Sequence, residues 1–426
     1  MHSERPSVRR RGIGYPRWLL PSAGATGMTQ SEITVVGGVY HEHCIWPVWD
    51  QIFGSGGRAA TALVSHVDKV TLHTYAHPDV ETEFKTAATL YRFDMVITAA
   101  RAGISFEYVH CMSTPVIRPA LARIHAHEPI EVSADAVLRF GMLEGSGRVN
   151  AKWCVYDPQS AFHPEPFWDN GSQAKHLAIV ANRSEITAMA GDSNPKTAAA
   201  TLLRRGAEVV VVKSGPAGAY VYTADGAEAH IPAYRSEMVW TIGSGDVFAA
   251  IFAAQWAAHR VGPATAAELA SRAVSLYAET MGLPAVPAQE LSEAQRTPSS
   301  TVSGKVYLAS PFFNLGQRWL VDEARRCLTE LGLDVFSPVH DVGRGPAREV
   351  GPKDIEALNS CDRVLAILDG LDAGTVFEVG YARAKGIPVY ALAQAVNEED
   401  LKMVVGSDCN MFFDFVTALH HTAWKA

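Results

Sequence analysis

Short apolar runs alternate with stretches of helical period along most of the chain. Between residues 31 and 283, runs such as Ile33-Thr-Val-Val36 and Val209-Val-Val-Val212 punctuate helical patterns, and the same rhythm resumes from residue 305. Continuous apolar runs of this length predict strands buried on both faces, joined by crossover helices in parallel sheets. The run Val364-Leu-Ala-Ile-Leu368 predicts one such strand, and residues 375–385, with small side chains at Gly380, Ala382 and Ala384, predict the helix that follows it. Before residue 31 no period is sustained, and residues 284–304 are rich in Pro, Ser and Ala, which reads as a linker. The expected organisation is an extension at 1–30, an α/β domain at 31–283, a linker at 284–304 and a smaller doubly wound α/β domain at 305–426.

Length agrees with that division, since 426 residues exceed what one core normally supports and 48% of them are hydrophobic. The net charge of −8 offers no basic field for nucleic acid, and no run of eighteen apolar residues predicts a membrane span. Cys44, Cys111, Cys154, Cys327, Cys361 and Cys409 are scattered without metal-ligand spacing, and no histidine pair has zinc-site spacing. Reduced thiols in a cytoplasmic protein are expected. The cluster Arg9-Arg-Arg11 precedes an apolar stretch, Trp18-Leu-Leu20, too short for an export signal, so residues 1–30 are expected to be disordered.

Chemistry enters between the strand and helix around residue 370, where Asp372 and Glu378 lie six residues apart across a glycine turn. Such a turn lies at the carboxyl edge of a parallel sheet, where open α/β proteins bind ligands. One carboxyl group ionised and one able to carry a proton can break a glycosidic bond. The competing reading is structural: Asp372 caps the helix and Glu378 favours its positive end.

From Lys305 onward the chain resembles the nucleoside 2-deoxyribosyltransferase family, through Lys305-Val-Tyr-Leu-Ala-Ser-Pro-Phe-Phe313, Asp354 and the Asp372/Glu378 block. The resemblance implies that Glu378 is the nucleophile on the anomeric carbon of a 2'-deoxynucleoside, that Asp372 and Asp354 orient substrate and handle the proton, and that Tyr307 touches the nucleophile. Tyr307 reads equally as an ordinary strand aromatic. Phe312 counts among the implied substrate contacts, as does Asn410, whose alternative is a place in a turn; an Asn410 that reaches a neighbouring subunit's sugar would require a homo-oligomer. The loop after the first strand, Pro311-Phe-Phe-Asn-Leu-Gly-Gln317, lacks a glycine pair to cradle a phosphate, which favours a nucleoside over a nucleotide.

A second motif, Thr241-Ile-Gly-Ser-Gly-Asp246, can aim consecutive amides at an anion from the start of a helix, with Asp246 placed to deprotonate an attacking hydroxyl. With Asn182-Arg-Ser-Glu185 and Val209-Val-Val-Val-Lys-Ser-Gly-Pro-Ala-Gly218 it resembles the ribokinase-like (PfkB) carbohydrate kinases. That resemblance implies an α/β/α sandwich and Asp246 as catalytic base. It implies ATP held by Gly243, Ser244, Gly245, Asn182, Lys213, Gly215 and Gly218, and Mg²⁺ organised by Asn182 and Glu185. It also implies a sugar held by Glu42, Gly56 and Gly57. The pattern departs from the family at Trp240 and Glu42, where aspartates are usual, and after Gly57, where the usual asparagine is absent. The chain is therefore expected to act on small-molecule nucleosides, nucleobases or sugars, cleaving or exchanging an N-glycosidic bond and phosphorylating a sugar or nucleoside; the alternative is a degenerate kinase fold that senses a ligand beside an N-glycosidase.

Overall fold

The computed structural model describes residues 30–160, 163–299 and 303–424. The expected extension at 1–30 lies, apart from Gln30, outside them.

The larger sheet has nine strands. From one edge to the other they are Glu228–Ile231, Ala219–Thr223, Val209–Lys213, Gln173–Asn182, Gly147–Asp157, Ile130–Phe140, Glu32–Val36, Lys69–Ala76 and Asp94–Ala99. The seven from Val209–Lys213 onward pair in parallel, and the two at the first edge are antiparallel. The valines of 209–212 are all buried, as β-branched residues in a strand covered on both faces should be. A separate sheet of four short strands, Trp49–Ile52, His41–Cys44, Ser105–Tyr108 and Val116–Arg118, carries Glu42.

The helix Gly54–Leu63 is buried along its whole length. Its small residues make this possible: a Cβ on Gly56 would meet the Gly37 carbonyl carbon at 2.5 Å, so only glycine lets helix and strand end approach this closely. The helix packs on Ser244–Ala253, which is itself buried from Asp246 to Ala253 and packs on Pro263–Thr280.

Five parallel strands form the smaller sheet, in the order Asp334–Phe336, Lys305–Ala309, Arg363–Ile367, Val389–Leu392 and Asn410–Phe412. In chain order this is 2-1-3-4-5, with the reversal between Lys305–Ala309 and Arg363–Ile367. The crevice at that reversal, at the strands' carboxyl ends, is where doubly wound sheets hold ligands.

The chain from Ser31 onward is one compact unit. Its largest apolar cluster joins Val239, Val247 and Phe252 of the first part to Val306, Val321 and Phe415 of the second. Polar contacts reinforce the seam: the Val239 amide donates to Thr417 Oγ1 at 3.0 Å, and His110 Nε2 lies 2.8 Å from Glu323 Oε1. Where composition predicts a linker, the chain instead lies along the first part. Helix Ala288–Glu293 buries Leu291, and Pro298 bridges to Tyr234. Among the described residues no helix is long and apolar enough to cross a membrane.

Candidate active sites

At the topological switch of the smaller sheet, Tyr307 from the first strand donates its phenolic hydrogen to Glu378 Oε1 at 2.6 Å. Tyr307 is fully buried and stacks on Phe336 at 5.5 Å, so its hydroxyl is fixed by packing before any substrate arrives. Glu378 projects from the helix Ala373–Ala384 that follows the third strand. Burial pushes its carboxyl up to about 7; the negative charges of Asp354 and Asp372 push the same way, while the Tyr307 hydrogen bond opposes them. The group therefore titrates near neutrality.

Asp372 is the N-cap of that helix and accepts from the Thr375 amide at 3.0 Å. The capping reading of Asp372 therefore holds alongside its closeness to Glu378, because one oxygen closes the helix while its charge still acts on the neighbouring carboxylate. Asp354 comes from the preceding helix, Ala347–Asn359. Its Oδ1 is buried without a hydrogen-bond partner, and burial raises its pKa, which favours the protonated form. Asp369 ties the same loop to the next strand by accepting from the Gln394 and Ala395 amides at 3.0 and 2.6 Å.

The two expected substrate contacts lie on other elements. Asn410 opens the short edge strand, paired with Tyr390 and so level in register with Leu308, the neighbour of Tyr307, and its side chain donates to the Val389 carbonyl at 3.4 Å. It lies in a strand and not in a turn. Phe312 is half-buried and stacks on the exposed Phe313 at 5.3 Å.

The first part encloses a cavity of about 650 Å³. Lining it are Asn182, Glu185, Lys213, Gly215, Gly218, Gly243, Ser244, Gly245, Asp246 and Glu42, so the structure brings these expected residues together. Gly243, at φ +78°, turns the chain into the helix Ser244–Ala253, whose first amides open toward the cavity. Gly56 and Gly57 correct the expectation of a sugar-contacting pair: neither lines the cavity, Gly56 abutting Gly37 and Gly57 the Phe84 ring.

Arg58, which the sequence reading passed over, is buried at the centre of the site. Its Nη1 donates to Asp246 Oδ2 at 2.8 Å and to Glu42 Oε1 at 3.0 Å, its Nη2 to Glu42 Oε2, and its Nε to Tyr277 at 3.1 Å. A Cβ on Gly243 would strike the guanidinium, so the arginine lies directly against the glycine turn. Asp246 Oδ1 accepts in addition from Gln159 Nε2 at 3.0 Å. Burial pushes Asp246 up to about 6, against the pull of Arg58. The signal in the sequence was an arginine inside the otherwise small and apolar run 54–63.

Asp157 was also missed. It ends a strand at the same sheet edge, is fully buried, and pairs with Lys213 Nζ at 2.5 Å. Glu185 is pushed up to about 7 by burial and by Asp157. Asn182 and Glu185 form a capping box: Asn182 Oδ1 accepts from the Glu185 amide, and the two Glu185 oxygens accept from the Asn182 and Ser160 amides. Each Glu185 oxygen thus accepts one backbone amide and keeps a further lone pair, which fits a role in organising a hydrated Mg²⁺. Among the described residues the one convergent trio of metal-type ligands is His110, Glu323 and Cys327 at the seam, and there Arg326 already pairs with Glu323.

Comparison with known proteins follows the same division. Residues 306–411 match the family model described as nucleoside 2-deoxyribosyltransferase, and residues 164–288 match that of the pfkB family carbohydrate kinases. No curated protein matches the chain. Among solved structures, Thermotoga maritima ribokinase is similar at 16% identity, covering 62% of this chain and 98% of its own, with a TM-score of 0.45. A Vibrio cholerae O395 fructokinase in a fructose-, ADP- and calcium-bound form is similar at 12% identity, with 62% and 98% covered and a TM-score of 0.47. Methanocaldococcus jannaschii nucleoside kinase gives 12%, 63% and 98%, and 0.46.

Proposed function

Because the chain joins a PfkB-family segment to a nucleoside 2-deoxyribosyltransferase-family segment, we propose that its second segment breaks the N-glycosidic bond of 2'-deoxynucleosides with Glu378 as nucleophile. The observation that carries this reading is the 2.6 Å Tyr307–Glu378 hydrogen bond at the sheet's switch point, on a carboxyl group poised near 7. A Glu378 oxygen attacks the anomeric carbon as the C–N bond breaks, and the bonding pair leaves on the base nitrogen. Asp354, favoured in its protonated form, supplies the proton that nitrogen takes up. A second base, or water, then gives a proton to the ionised Asp354 as it attacks the same carbon, and Glu378 departs as carboxylate. Deoxynucleosides suit this route, since a 2'-hydroxyl withdraws electrons from an oxocarbenium-like centre.

In the first segment phosphoryl transfer from ATP to a sugar or nucleoside, with Asp246 as base, is the activity the motif suggests. Arg58 favours a second reading, in which this segment binds its ligand without transferring phosphate. The ion pair with the buried Arg58 favours the charged form of Asp246 and so makes it a weaker acceptor for a hydroxyl proton.

The test is incubation of the full chain with a panel of nucleosides, with and without acceptor base and Mg-ATP, followed by chromatography. Base release or exchange should be lost in Glu378→Gln while the circular dichroism spectrum is kept; wild-type turnover in that variant overturns the nucleophile assignment. ADP formation dependent on a hydroxyl substrate supports transfer by the first segment, and nucleotide binding without ADP formation supports the ligand-binding reading.

A further inference from the structure

The terminal helix Phe415–Ala423 follows the edge strand of the smaller sheet, yet His420 and Trp424, at its far end, line the first segment's cavity. The same helix also grips the chain that enters that cavity. Residues 235–242, in neither helix nor strand, lead from the edge strand Glu228–Ile231 to the glycine turn at Gly243. The backbone groups of such an irregular run must find partners outside any regular ladder. Three of them find these on the terminal helix: the Val239 amide donates to Thr417 Oγ1 at 3.0 Å, and the Ser236 and Glu237 carbonyl oxygens lie 3.1 and 3.2 Å from His421 Nε2. A carbonyl oxygen only accepts, so His421 carries its hydrogen on Nε2.

Both side chains are themselves fixed. Thr417 donates its hydroxyl to Oδ1 of Asp414, the N-cap of the helix, at 2.6 Å, and the His421 ring lies 4.8 Å from that of Phe412 and 5.3 Å from that of Trp424. At the other end of the helix Arg363, which opens the strand leading to Asp369 and Asp372, donates to the Thr422 carbonyl at 2.8 Å. Beyond Val239 the run is held by the first segment, the Trp240 amide donating to the Ala278 carbonyl at 2.9 Å and the Tyr277 hydroxyl to the Ile242 carbonyl at 3.0 Å. Gly243 follows at once and has no slack, since a Cβ there would lie 2.1 Å from Arg58 Nε. A displacement of residues 236–239 therefore reaches the turn.

We propose that Thr417 and His421 are positioning residues for phosphate binding in the first segment: by pinning residues 236–239 they hold the glycine turn where the first amides of the helix Ser244–Ala253 meet an anion. The proposal rests on the reading that this segment holds nucleotide phosphates at the turn, and it is independent of chemistry at Glu378. Neither residue touches the ligand. Hydrogen bonds from amides to an anion weaken steeply as their alignment is lost, so a displaced turn gives up affinity for phosphate while contacts to the rest of a ligand persist. Both residues lie outside the stretch 164–288 that matches the kinase family, so the second segment supplies what the first segment's own chain does not.

Calorimetric titration of the full chain carrying Glu378→Gln, so that no ligand is cleaved, tests the idea by comparing Mg-ADP with adenosine. Thr417→Val keeps the side chain's shape but offers the Val239 amide no acceptor, and His421→Phe keeps a ring without the donor. Each should weaken Mg-ADP about tenfold and adenosine by about twofold or less. Thr417→Ser and His421→Gln restore the acceptor and the donor and should bind Mg-ADP as the parent chain does. A merely structural role would weaken both ligands alike. The proposal is overturned if Mg-ADP and adenosine weaken in equal proportion, if neither changes, or if the Ser and Gln variants behave as the Val and Phe variants do. His421→Phe serves as the test if Thr417→Val fails to fold. A parent chain that binds Mg-ADP no more tightly than adenosine overturns the phosphate reading and the proposal with it, an outcome seen before any variant at 417 or 421 is made.

Discussion

Glu378 illustrates how a single side chain acquires chemistry from what surrounds it. Burial alone raises its carboxyl, two neighbouring acids raise it further, and one tyrosine restrains the rise. Tyr307→Phe removes the restraint, so on the proposed route, where the ascending limb of the cleavage rate follows ionisation of Glu378, that limb should move to higher pH. A hydrogen bond to a charged group is worth about 1.5–3 kcal/mol, and one pH unit corresponds to about 1.4 kcal/mol, so a shift of about one to two units is expected. A pH–rate profile unchanged in Tyr307→Phe would show that the hydroxyl does not act on the nucleophile.

At the scale of elements, the strand–turn–helix unit around Asp372 serves two ends with one residue. As N-cap it closes the helix that carries Glu378, and as a charge it raises the Glu378 pKa. Two substitutions separate these roles. Asp372→Ala should cost about 1 kcal/mol of stability through loss of the cap. Asp372→Asn keeps a good cap and should unfold within a few tenths of a kcal/mol of wild type. Both remove the negative charge, so in both the ascending limb should move toward lower pH, opposite to the Tyr307→Phe shift. Equal destabilisation by Ala and Asn would mean that the cap contributes little. A limb that stays in place would mean that the charge does not reach Glu378.

For the whole molecule, the decisive feature is the apolar cluster that crosses the boundary between the two family segments, together with the packed course of residues 288–299. Elements that share a core unfold together. Calorimetry of the full chain should therefore give a single cooperative transition. A chain ending at residue 299 should melt well below it, because Val239 loses its bond to Thr417 and the shared apolar cluster is opened. Two independent transitions, or an unchanged midpoint in the shortened chain, would show that the seam contributes no stability.

The apolar rhythm was enough to announce two largely parallel α/β sheets, because strands buried on both faces leave continuous apolar runs whatever their neighbours. The acids at 354, 372 and 378 and the glycine turn at 243–246 were legible for a related reason: each sits within, or close to, a local strand–turn–helix unit whose geometry is set by residues adjacent in sequence. What depended on distant pairings stayed hidden. Arg58 meets Glu42, Asp246 and Tyr277 across as many as 219 residues, and nothing in its own neighbourhood names those partners. The glycines at 56 and 57 carry a motif's outline, but packing against Gly37 and Phe84 decides their use. His420 and Trp424 lie far along the chain from the cavity they line, and composition made residues 284–304 look like a tether. Periodicity and turns determined the elements and their local chemistry; the tertiary structure alone decided which buried charges cancel and which walls close a site, because those depend on surfaces that come together only when the chain folds.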